Sequence, residues 1–115
     1  MRDDLLYLVH ILECIERIER YTESGYGPFR ETKMIQDAVL RNLHTLTEST
    51  QKLSQAAKDA HPEVDWPGIA RFRNVIVHDY LGIDLARIWD IVQSDLPELR
   101  ASVELMLAES GDQIV

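Results

Sequence analysis

The chain has 115 residues, 45% of them hydrophobic and 28% charged, which fits one domain around one core and leaves little room for a second. Its formal net charge of -8 argues against nonspecific nucleic-acid binding, because phosphate neutralisation usually shows as a basic surplus. The longest run without Lys, Arg, Asp or Glu is Leu5 to Leu12, far below the roughly 20 apolar residues that cross a bilayer, so no membrane span is expected.

The chain opens on Met1-Arg2-Asp3-Asp4, without the basic and apolar regions of a secretory signal. The single cysteine, Cys14, cannot form an internal disulfide and suits a reducing cytoplasm, with helix packing as its expected role. Residues 4–21 place Leu5, Leu8, Val9, Leu12, Ile15 and Ile18 at three- and four-residue steps between charged positions, the pattern of an amphipathic helix. Ser24-Gly25-Tyr26-Gly27-Pro28 should break it. A second long helix is expected from Thr32 to Ala60, with Ile35, Ala38, Val39, Leu43, Leu46, Leu53 and Ala57 inward and Pro62 past its end.

Asp65-Trp66-Pro67 reads as a third helix start, since proline suits a first helical position where no backbone donor is needed. That helix carries Ile69, Phe72, Val75 and Ile76 toward the core and reaches His78. Gly82 then breaks the chain, and Asp84 can cap a fourth helix bearing Leu85, Ile88, Trp89 and Val92. Asp95-Leu96-Pro97-Glu98 has capping-box spacing and should open a last helix through Leu99, Val103 and Met106. The expected fold is all-α, an antiparallel bundle of four main helices plus a shorter one, with no strand pattern in competition. A domain this small commonly gains burial by pairing with a copy of itself, so a dimer is plausible on size alone.

No metal or cofactor is expected. None of His10, His44, His61 and His78 follows a Glu by three residues, no two histidines lie four apart, and one cysteine cannot build a thiolate cage. The five glycines are scattered in turns and form no phosphate-cradling loop. His10 and His44 read as structural, and Trp66 and Trp89 as core or interface aromatics.

What remains is Arg71-Phe72-Arg73-Asn74-Val75-Ile76-Val77-His78-Asp79-Tyr80, in the stretch from Lys52 to Arg87, whose five basic and five acidic residues cancel. On a helix Arg71, Asn74 and His78 make one polar stripe, with Arg73 beside it. A permanent cation, an amide and a group titrating near neutral pH suit RNA cleavage through its own 2′-hydroxyl. Histidine moves the proton and arginine holds the charge that builds on phosphorus, with no metal required. An Arg-x-x-x-x-His spacing alone arises by chance about 0.3 times in such a chain. A surface arginine and a histidine near a helix C-terminus would equally account for it. Arg71, Lys52, Lys58 and Arg87 are candidate phosphate contacts, or else solvated surface charge.

A resemblance sharpens this reading. Pro62-Glu63-Val64-Asp65-Trp66, Ile69-Ala70 before Arg73-Asn74, His78-Asp79-Tyr80, and Asp84 to Trp89 with Asp95-Leu96-Pro97 look like the HepT-like branch of the HEPN superfamily. The likeness extends upstream through Tyr21-Thr22-Glu23 and 36–43, and so over nearly the whole chain as one domain, 1–115. It implies a cytoplasmic homodimer whose Arg-x-x-x-x-His motifs line one cleft and cut RNA as an endoribonuclease toxin. Arg73 and His78 would be the catalytic pair, with Asn74 in support. Tyr80 would accept AMP from a partner antitoxin, a minimal nucleotidyltransferase, and be silenced by it. Asp79 departs from the small residue many relatives carry there, and its carboxylate could raise the pKa of His78 or repel phosphate. The competing reading is a noncatalytic helical module that docks a nucleotidyltransferase or binds nucleotide. Intact Arg73, Asn74 and His78 favour the enzyme, whereas the acidic balance and Asp79 favour the module.

Overall fold

The computed structural model describes residues 2–78 and 82–114, which form helices joined by short turns, with no strand among them. The first helix, α1 (Arg2–Tyr21), buries Leu8, Ile11, Cys14, Ile15 and Ile18 completely or nearly so. Each such side chain contributes about 1.5–3 kcal/mol of burial. The inward stripe is turned slightly from the one expected, because Val9 is exposed while Ile11 and Cys14 lie inside. Burial also pushes the Cys14 thiol pKa above its usual value, against the nearby Arg17.

Thr22 ends α1 by donating its hydroxyl to the Ile18 carbonyl at 2.8 Å, and Gly25 turns the chain with φ of 99°, a conformation that favours glycine. The expected break is therefore shorter than 24–28. Tyr26-Gly27-Pro28 belongs to a short helix, α2 (Tyr26–Glu31), whose first turn tolerates a proline because the N–H that proline lacks would have no helical acceptor there. Phe29 is fully buried there, and its ring packs 5.5 Å from Trp89 and 6.4 Å from Tyr26. Trp89 thus has the core role expected of it. The Gln36 side-chain amide closes α2 by donating to the carbonyls of Phe29 and Arg30.

The expected helix from 32 to 60 is two helices, α3 (Lys33–Gln51) and α4 (Gln55–Asp59). Ser54 causes the interruption: its side-chain oxygen accepts from the Ala57 N–H as the cap of α4. Its own N–H and hydroxyl both donate to the Asp4 carboxylate, at 2.8 and 2.7 Å. Because Asp4 starts α1 and Ser54 follows α3, the same contact shows that these two helices run antiparallel.

The helix α5 (Trp66–His78) begins where Asp65 accepts from the Gly68 N–H at 3.0 Å, as the Asp-Trp-Pro start implies. A Cβ on Gly68 would come within 2.1 Å of the Asp65 carboxylate, so a side chain at that position would push the carboxylate out of this cap. The Trp66 indole N–H is satisfied by the carbonyls of Lys58 and His61. Buried His61 sits between Glu63 and Glu109, with ring nitrogens at 2.9 and 3.5 Å from their carboxylates, and ties the loop before α5 to the last helix.

After α6 (Leu85–Asp90), capped as expected by Asp84 through the Ala86 N–H, the chain does not break. It passes through a π-helical turn, Ile91–Asp95, directly into α7 (Leu96–Ile114). Asp95 therefore lies inside continuous helix and does not open a new one. Pro97 explains the wide turn: it has no N–H to donate and its ring crowds the preceding turn, which a π-turn opens. The Leu96 N–H accordingly reaches back five residues to the Ile91 carbonyl. Arg100 on α7 then pairs with Glu16 and Glu19 near the end of α1, fixing those two helices antiparallel. The four long helices α1, α3, α5 and α7 form the bundle, with α3 between α1 and α5.

Candidate functional site

The helix α5 is built so that one side belongs to the core and the other does not. Ile76 is buried and Ile69 and Phe72 are partly buried against the core, whereas Arg71, Asn74, Val75, Val77 and His78 are exposed. At 3.6 residues per turn the exposed positions form one continuous arc, in the order Val77, Asn74, His78, Arg71, Val75. The stripe of Arg71, Asn74 and His78 expected from sequence is therefore present and open to solvent. Val75 corrects the expectation, because at 42% exposure it flanks the polar stripe and does not enter the core.

Arg73 lies at the edge of this arc, half-buried, and faces α3. Its Nε donates to Glu48 Oε1 at 2.7 Å, and its Nη2 lies 2.5 Å from the same oxygen. Its Nη1 approaches Asn74 Oδ1 at 3.5 Å. His44, one turn before Glu48 on α3, places Nε2 3.2 Å from that carboxylate oxygen. The Arg73 guanidinium, chiefly by hydrogen bonding, holds the Glu48 carboxyl below the usual glutamate range, with His44 adding to the effect.

Glu48 is not among the site residues expected from sequence, and His44 is expected only as structural. The His44-x-x-x-Glu48 spacing was the available signal, since residues four apart share a helix face. Which helix that face would meet is not written locally.

Arg73 and His78 are five residues apart, about 140° around the helix. Among the described residues no hydrogen bond or ion pair joins them. The structure thus brings Arg73 to Asn74, Glu48 and His44, and leaves His78 on the exposed arc at the end of α5. Asp79 and Tyr80 lie outside the described residues.

The four candidate phosphate contacts do not form one patch. Lys52 sits over the Tyr7 ring at 5.8 Å from its centroid, and Lys58 reaches toward the Gln51 carbonyl at 3.4 Å. Arg71 and Arg87 instead line an open cleft of about 710 Å³ between α3, α5 and the π-turn region, floored by Leu43, Leu46, Phe72 and Leu99. Glu63, Asp65, Asp95 and Glu98 also line it, and Arg71 lies 3.8 Å from Asp65. Carboxylates outnumber cations there, which does not suit a phosphate backbone. Among the described residues no group of three His, Cys, Asp or Glu side chains is placed to hold a metal ion, and no helix is long and apolar enough to cross a membrane.

A bundle built of helices, with no strand among the described residues, has the architecture of the HEPN-like class. Residues 11–106 match the family model described as Ribonuclease HepT-like, and the chain belongs to that family of ribonucleases. A Methanocaldococcus jannaschii protein named "Gamma-glutamylcyclotransferase and putative RNase" is 33% identical over 111 residues, covering 95% of this chain and 50% of that protein. A second protein of the same organism, named "Putative RNase", is 32% identical over 106 residues, 91% of this chain and 97% of its own length. The "Probable ribonuclease HepT" of Thermococcus cleftensis is 36% identical over 99 residues, 85% of this chain and 90% of its own. The chain therefore spans half of the first relative and nearly all of the other two. No solved structure matches it.

Proposed function

We propose that this protein is a metal-independent endoribonuclease whose chemistry is carried by Arg73 and His78 with Asn74 in support. The observation that carries the reading is the placement of the expected residues on α5, a helix anchored by the core: Asn74 and His78 lie on its exposed arc, and Arg73 at the edge of that arc is half-buried against Glu48. His78 takes the proton from the RNA 2′-hydroxyl, or returns one to the departing 5′-oxygen. Arg73 faces the non-bridging oxygens as negative charge grows on them. The new bond joins the 2′-oxygen to phosphorus as the 5′-oxygen leaves, so the product ends in a 2′,3′-cyclic phosphate.

The separation of Arg73 and His78 around one helix supports a composite site between two protomers. Exposed Val75 and Val77 on either side of Asn74 and His78 supply apolar surface for such a pairing. In the same reading the protein is the cytoplasmic toxin of a toxin–antitoxin pair, a single domain over 1–115. Tyr80, two residues beyond His78, is the AMP acceptor for a nucleotidyltransferase antitoxin. The added phosphate would repel RNA from the site.

The test is cleavage of a labelled RNA in excess EDTA with analysis of the new ends. Cyclic phosphate ends and resistance of the DNA of the same sequence support the reading. Loss of all cleavage on chelation would overturn it. The noncatalytic module remains the second reading, favoured by the acidic lining of the cleft beside α5.

A further inference from the structure

We propose that Glu48 is the positioning residue for Arg73, gripping the inner edge of the guanidinium so that the remaining donors face an RNA phosphate. The inference rests on Arg73 being the arginine that meets the phosphate. A guanidinium presents five N–H donors in a rigid fork, whereas the stem that carries it is flexible. Here the Nε and Nη2 donors are both directed at Glu48 Oε1, at 2.7 and 2.5 Å, which fixes the plane of the fork against α3. The Nη1 edge is left beside Asn74, where its contact at 3.5 Å is too long to hold it.

The grip is itself supported. His44 Nε2 lies 3.2 Å from the same Oε1, and donation from that nitrogen restricts the carboxylate to the side of α3 that meets α5. Glu48 and Arg73 side chains are 35% and 30% exposed, so the pair is open enough for substrate to approach and sheltered enough to persist. Charge arithmetic alone would make the contact counterproductive, since a carboxylate beside the cation lowers its pull on phosphate. Orientation works in the other direction, because a misplacement near 1 Å can cost about 100-fold in rate.

A contact serving only helix packing would change melting and leave turnover per folded molecule intact, so the two roles separate in kinetics. Steady-state cleavage of a labelled RNA oligonucleotide is measured for wild type, Glu48→Gln, Glu48→Ala, Arg73→Ala and the double variant Glu48→Ala/Arg73→Ala, with thermal melts of each. Glu48→Ala should lower kcat about 10- to 100-fold with a smaller change in KM. Glu48→Gln, which still accepts from the fork and keeps the side-chain volume, should recover part of that loss. The double variant should be no slower than Arg73→Ala alone, since Glu48 acts through the arginine. A fully active Arg73→Ala would show that the reading of Arg73 is wrong. If Arg73→Ala is inactive while Glu48→Ala turns over within about twofold of wild type, the positioning role is overturned. A double variant clearly slower than Arg73→Ala also overturns it, because Glu48 would then act by another route. Should Glu48→Ala melt below the assay temperature, Glu48→Gln carries the comparison: a kcat reduced with the melt unchanged supports the role, and an unchanged kcat in a variant whose Arg73 Nε–H NMR signal has moved overturns it.

Discussion

Asp4 accepts hydrogen bonds from both the backbone N–H and the hydroxyl of Ser54, 50 residues further along the chain. One nearly buried carboxylate therefore fixes the start of α1, the end of α3 and, through the Ser54 oxygen on the Ala57 N–H, the cap of α4. Asp4→Ala should cost about 1–3 kcal/mol in denaturant unfolding, because it strips partners from sheltered donors. Asp4→Asn, which keeps an acceptor, should cost less. Equal stability of wild type and Asp4→Ala would remove this contact from the account of the α3–α4 interruption.

The Glu48–Arg73 pair has a pH signature. Its carboxyl pKa is held below that of an unfolded glutamate, about 4.3. Its contribution to stability is thus present above that value and is lost as pH falls through the lower folded one. Carboxylate NMR should find Glu48 titrating below the ordinary range in wild type and shifting upward in Arg73→Ala, with the His44 contact retaining part of the depression. An unmoved titration in Arg73→Ala would mean that the pair does not persist in solution.

The pairing surface proposed on α5 is checked by light scattering at micromolar concentration. Wild type should have the mass of a dimer. Val77→Glu, which places a charge on the exposed arc, should be a folded monomer with RNA cleavage strongly reduced. A wild-type monomer that cleaves RNA at full rate would place both halves of the site in one chain.

Incubation with a neighbouring nucleotidyltransferase and ATP should add AMP to Tyr80 and silence cleavage, with the adduct mapped by mass spectrometry. Tyr80→Phe should escape both effects. Modification and silencing of Tyr80→Phe as readily as wild type would assign the control elsewhere.

The helices that bury a clean apolar stripe were legible from sequence, as Leu8, Ile15 and Ile18 of α1 and Val39, Leu43 and Leu46 of α3 illustrate. The helix start at Asp65-Trp66-Pro67 and the cap at Asp84 were legible too, because both signals are local chemistry, although the bond from the Gly68 N–H to Asp65 was not foreseen. Three boundaries were not. The stop at Ser54 depends on Asp4, which is distant in sequence, so periodicity alone ran the helix on to Ala60. The capping-box spacing of Asp95 and Glu98 suggested a start, yet the π-turn absorbs Pro97 within continuous helix. Pro28, counted among breakers, is accommodated in a first helical turn. At the candidate site the polar stripe of Asn74 and His78 follows from helical spacing, whereas Glu48 becomes relevant only once α3 and α5 are side by side.

The most direct measurement is single-turnover cleavage of a labelled RNA by His78→Ala beside wild type, with circular dichroism showing both equally helical. General acid–base catalysis by His78 implies a loss of about 10²- to 10⁴-fold in the variant. Cleavage by His78→Ala at the wild-type rate would place the chemistry outside the exposed face of α5 and contradict the proposed mechanism.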